Sequence, residues 1–113
     1  MKVVIQRVSS AKLSVEGELI SEIGRGLVVY FGVSLGDYAE SAAILAAKIS
    51  KLRIFEDGAG KMNLSISDEG GEILSVSQFT LLADTSRGNR PSFTGAEKPE
   101  RAKQIYEFFC EEL

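Results

Sequence analysis

The 113-residue chain contains no histidine. That absence excludes Ser-His-Asp and Cys-His activation of a nucleophile, imidazole acid/base catalysis, and every zinc site that uses an imidazole. Cysteine is nearly missing as well: Cys110 stands alone, so no internal disulfide forms and no thiolate cage can hold a metal. No segment approaches the ~18 consecutive apolar residues of a membrane span. The opening MKVVIQRVSS, whose apolar run is broken by Gln6 and Arg7, does not read as a secretory signal. These features fit a reducing cytoplasm. A phosphate-cradling Walker loop is also absent, because Gly60-Lys61 is followed by Met62 and Phe55 occupies the place of the leading glycine. With a net charge of -3, any nucleic acid must be held by a local basic patch rather than by a global field.

What is present predicts one domain, long enough to bury roughly two thirds of the surface that the unfolded chain exposes. Val3 to Val8 reads as a first strand, and Leu13 and Val15 alternate with polar residues in a second. Glu16-Gly17 signals a tight turn into Glu18 to Ile23, and Gly24-Arg25-Gly26 signals another. Leu27 to Phe31 is apolar without alternation, as expected of a central strand covered on both faces. The period then changes. Ala42, Leu45, Ala46 and Ile49 mark a helix from an N-cap at Asp37 to about Leu52, and Leu52 to Phe55 reads as a short strand closed by a turn over Asp57 to Gly60. Ile73 to Leu82 reads as a strand. Beyond a Gly/Arg/Asn-rich loop, Pro99 opens a second helix with Ala102, Ile105, Tyr106, Phe109 and Leu113 on one face. Strands interleaved with two helices and joined by hairpin turns indicate an α+β fold with a mostly antiparallel or barrel-like sheet.

Candidate sites are few. The acid pairs Glu56-Asp57 and Asp68-Glu69 lie beside glycine turns, where carboxylates are ordinarily solvated loop residues. Cys110 sits between Glu107 and Glu111, an acidic setting that disfavours a thiolate. Arg87 and Arg90, followed by Lys98, Arg101 and Lys103, form the one basic concentration. Within the strand over Ile73 to Leu82, Ser77, Gln78 and Thr80 interrupt both faces, which makes the segment either a strand end reaching water or the floor of a site.

The runs VIQRVSSAKLSVEGE, LRIFEDGAGKMNLS and SVSQFTLLADTSRGNRPSF, in this order, resemble the D-aminoacyl-tRNA deacylase family along the whole chain. The resemblance implies a homodimeric cytoplasmic esterase that cleaves the bond between a D-amino acid, or glycine, and the terminal adenosine of tRNA. It implies no cofactor and no metal. Carried onto this sequence, it makes Ser77 and Gln78 substrate-binding residues. The backbone around Phe79 and Thr80 becomes the catalytic element, with Arg87 and Arg90 as candidates for tRNA phosphate. It also accounts for the missing histidine, since the substrate's ribose 2′-hydroxyl assists the reaction while backbone N–H groups receive the oxyanion. An alternative keeps the fold as a catalytically impaired tRNA- or DNA-binding dimer. The family further implies a Gly-Pro dipeptide near its C-terminus that excludes L-amino acids. The two prolines here follow Arg90 and Lys98, so the expectation is a chain shortened at its C-terminus.

Overall fold

A computed structural model describes all residues from 1 to 113. Four strands come first: β1 (Lys2–Val8), β2 (Ala11–Val15), β3 (Glu18–Ile23) and β4 (Gly26–Gly32). Helix α1 (Ala39–Lys51) follows, then the short strands β5 (Phe55–Glu56) and β6 (Met62–Leu64), a one-turn helix α2 (Ile66–Glu69) and strand β7 (Glu72–Ser77). A 3-10 turn over Phe79–Leu82 and helix α3 (Pro99–Glu112) complete the chain. Antiparallel ladders dominate, with β1 on β4, β2 on β3 and β5 on β6, whereas β4 pairs with β7 in parallel. A parallel pair needs a long crossover, which α1 and the segments after it supply.

The unalternating run in β4 places it at the centre of the order β1-β4-β7. Its odd-numbered residues Leu27, Val29 and Phe31 face the main core with Ala42, Ala46 and Ile49 of α1 and Ile105 and Phe109 of α3. Phe31 and Phe109 stack at 4.1 Å between ring centroids. Val28, on the other face, joins Ile23 and Leu74 in a smaller cluster that the β2–β3 hairpin partly covers. That hairpin turns through Glu16 and Gly17, both at positive φ, the conformation a tight two-residue turn demands.

Three sequence expectations shift. The strand over Ile73 to Leu82 stops at Ser77, because the Gln78 N–H makes a last bond to the Phe31 carbonyl at 2.8 Å and the chain then coils across the end of β4. Tyr38, not Asp37, is the N-cap of α1; the Asp37 carboxylate instead accepts the Ser34 N–H at 2.7 Å. The short strand begins at Phe55, where pairing with Leu64 becomes available, rather than at Leu52. The two helices with clear apolar periodicity form as read, and α2 is added by a capping box in which Ser65 and Asp68 exchange hydrogen bonds.

Gly32 is where the fold and the 3-10 turn meet. A methyl group there would lie 3.0 Å from the Gln78 carbonyl oxygen and 3.3 Å from Leu81 Cβ. Gly32→Ala is therefore expected to push the turn outward and to destabilise the protein by about 1–3 kcal/mol, read as a lower urea midpoint in chemical unfolding.

Candidate functional site

The end of β7, the 3-10 turn and the start of α3 enclose a cavity of about 550 Å³. Ser77 and Phe79 line it together with Phe93 and with Pro99, Ala102 and Tyr106 of α3. Phe79, 59% exposed, meets Phe93 edge to face at 5.3 Å, so two aromatic rings border an open apolar slot. Tyr106 turns its hydroxyl away to donate to the Ser75 carbonyl at 2.9 Å. Burial pushes its phenol above the ordinary value of 10, which keeps that proton in place.

Backbone chemistry distinguishes the 3-10 turn. The first N–H groups of a helical turn have no carbonyl behind them to bond. Accordingly Leu81 donates to Gln78 and Ala83 to Thr80, but the amides of Phe79 and Thr80 donate to no protein oxygen. Two adjacent backbone donors thus stand free, one on Phe79, which lines the cavity, and one on Thr80, which follows it in the turn. The side chains of Gln78 and Thr80 do not line it, because the Gln78 amide donates to the Thr80 hydroxyl. A hydroxyl held by an amide, with no base near it, is poorly placed as a nucleophile.

Arg87 and Arg90 belong to a second, wholly polar cavity of about 490 Å³ together with Asp84, Asn89, Ser92 and Thr94. An antiparallel bridge between Asp84 and Ser92 closes this loop, and the Asp84 carboxylate accepts the Ser86 N–H at 2.9 Å. Hydrogen bonds from Ser86 hold that carboxyl below its ordinary value. The structure therefore separates the residues read from sequence into an apolar cavity with Ser77 and Phe79, a linked Gln78–Thr80 pair, and a polar cavity with Arg87 and Arg90. Sequence reasoning missed Phe93, Pro99, Ala102 and Tyr106 as cavity residues. The helical stripe of α3 accounts for Ala102 and Tyr106 equally well as core, and only the nearby 3-10 turn makes them a wall.

Glu97 fixes that wall. Its carboxylate, in a side chain only 5% exposed, accepts N–H groups from Gly36 and Lys98 at 2.9 Å each and pairs with Arg101 at 3.3 Å. Arg101 in turn donates to the Asp37 carbonyl at 2.6 Å, tying α3 to the loop after β4. The Gly36 and Lys98 amides, aided by Arg101, hold the Glu97 carboxyl below its ordinary 4.5. A carboxyl lowered on folding adds stability above its unfolded value and loses it as pH falls through the folded one. Glu97→Gln is thus expected to unfold at lower temperature than the parent at pH 7, with the gap closing below pH 4.5 in thermal melts.

The family model described as D-Tyr-tRNA(Tyr) deacylase matches residues 4–113. A protein of Deinococcus radiodurans named D-aminoacyl-tRNA deacylase is 57% identical over 109 residues, covering 96% of this chain and 75% of that one. A protein of the same name from Lactobacillus delbrueckii subsp. bulgaricus is 55% identical over 113 residues, covering all of this chain and 78% of the other. Among solved structures, one named c-Myc DNA Unwinding Element Binding Protein is 46% identical with a TM-score of 0.93, covering all of this chain and 76% of that one. A probable eukaryotic D-amino acid tRNA deacylase, at 19% identity and TM-score 0.83, covers 97% of this chain and 64% of that one and shares the fold. By the match over nearly its whole length and the level of identity to these relatives, the chain belongs to the D-Tyr-tRNA(Tyr) deacylase family.

Proposed function

We propose that this chain hydrolyses the ester joining a D-amino acid, or glycine, to the terminal adenosine of tRNA, with the adenosine seated in the apolar cavity and the ester against the 3-10 turn. The observation that carries the reading is the pair of unbonded amides at the start of the 3-10 turn, on Phe79, which lines the aromatic-bordered slot, and on Thr80 after it, in a chain with no histidine. Water adds to the ester carbonyl, and the negative charge that forms on its oxygen is received by the Phe79 and Thr80 N–H groups. Collapse expels the ribose 3′-oxygen, which gains its proton from the neighbouring 2′-hydroxyl as that group takes one from the added water. Free amino acid and tRNA are the products. Preorganised backbone donors of this kind supply about 3–4 kcal/mol each, enough for an activated ester without an ionisable side chain.

Ser77 lines the slot as a substrate contact, and Gln78 acts by holding Thr80 and hence the turn. Arg87 and Arg90 meet tRNA phosphate from the polar cavity. No cofactor enters the reaction. Val15, Leu19 and Ile20 of the β2–β3 hairpin stay more than half exposed, apolar surface that supports pairing with a second copy. A cytoplasmic location follows from a tRNA substrate; no helix is long and apolar enough to cross a membrane.

A second reading, a nucleic-acid-binding dimer that does not hydrolyse, is favoured by the name of the 46% identical structure. Release of amino acid from D-aminoacyl-tRNA by this chain separates the two: turnover supports the esterase, and tight binding without turnover the alternative. Within the esterase reading, Thr80→Ala should retain hydrolysis within about tenfold, because the amide and not the hydroxyl acts. A loss of several orders of magnitude with substrate binding intact would make Thr80 the nucleophile instead. Replacing both Arg87 and Arg90 with Gln should weaken tRNA binding and make the plot of log K against log salt shallower by about 1.5–2 units.

A further inference from the structure

The apolar cavity carries charge that ester chemistry does not use. Lys98 and Lys103 both line it, and neither makes an ion pair. Glu97 is the one carboxylate on the wall, and its charge already answers the Gly36 and Lys98 amides and the Arg101 guanidinium. It therefore does not neutralise the two ammonium groups. The rings of Phe79, Phe93 and Tyr106 line the same cavity. A slot bordered by aromatic rings fits a nucleobase, and unpaired lysines at the same slot fit a compact anion such as phosphate. A nucleoside at the 3′ end of RNA carries one such anion, the phosphodiester on its 5′-oxygen.

Resting on the reading that this cavity takes the terminal nucleoside of aminoacyl-tRNA, we infer that Lys98 and Lys103 bind the phosphodiester immediately 5′ of that nucleoside. The contact would let the cavity tell the end of a polynucleotide from a free nucleoside or its amino acid ester. It differs from Arg87 and Arg90, which lie in the separate polar cavity and would meet phosphates further along the strand.

The test compares two small probes by calorimetry at low salt: adenosine, and adenosine 5′-(methyl phosphate), which bears the single negative charge of a diester. The parent protein should bind the phosphate ester about tenfold more tightly, the factor that one charge-assisted hydrogen bond of modest strength supplies. In the double variant K98Q/K103Q, whose replaced side chains are exposed, that preference should fall to within twofold while affinity for adenosine is unchanged. An undiminished preference in the variant overturns the inference, as does a parallel loss of adenosine affinity, which would make the lysines a structural part of the slot. Equal binding of both probes by the parent overturns the phosphate contact and leaves the nucleoside reading standing. Failure of both probes to bind overturns the two together.

Discussion

One hydrogen bond decides where the 3-10 turn begins. The Gln78 N–H reaches the Phe31 carbonyl at 2.8 Å as the last bond of the parallel pairing between β4 and β7. Beyond it the chain has no further strand residue of β4 to follow, since β4 ends at Gly32. A glycine at that point leaves room for the chain to coil across the strand end, with Leu82 and Gln78 packed where a side chain would stand. The coil is a 3-10 turn, and a turn that starts there leaves the Phe79 and Thr80 amides without acceptors. Continuing the pairing along a longer β4 would have drawn the Thr80 N–H into the ladder, since alternate amides of β7 face β4. Ending it leaves that donor free.

The α3 side of the cavity is held by different physics. Stacking of Phe109 on Phe31 and burial of Ile105 dock α3 over the central strand, while the Glu97–Arg101 pair and the bonds to Gly36 and Asp37 fix where the helix begins. Apolar burial sets how closely the helix lies; the polar bonds are directional and set its start. Together they place Ala102 and Tyr106 in the lining of the same cavity as Phe79. Cations can stand at the cavity of a net acidic protein because the one carboxylate lining it, Glu97, is already engaged.

Much of the architecture was legible in the amino-acid order because periodicity reports burial directly. The unbroken run Leu27 to Phe31 announced a strand covered on both faces, and Ala42, Leu45, Ala46 and Ile49 announced the helix above it. Glu16-Gly17 and Pro99 marked boundaries through backbone chemistry that few other residues share. The reading went astray where a local pattern served two outcomes. Ile73 to Leu82 looks like one strand, yet its second half has no partner to pair with. Ser65 and Asp68 carried a capping signal three residues apart that went unread. The polar insertion of Ser77, Gln78 and Thr80 does not form one group in space, since its residues divide between a cavity and a side-chain pair.

By itself the sequence determined the chemical inventory: no imidazole, one thiol, a basic loop on an acidic chain, and the order and type of the main elements. Those follow from composition and from short-range spacing, which act within a few residues. Only the tertiary structure decided which donors stay unbonded and which α3 residues become a wall. Those properties depend on contacts between segments distant along the chain, such as Phe31 with Gln78 and Gly36 with Glu97. An N–H becomes a free donor only through the absence of an acceptor in space, and no local pattern records what lies across a gap.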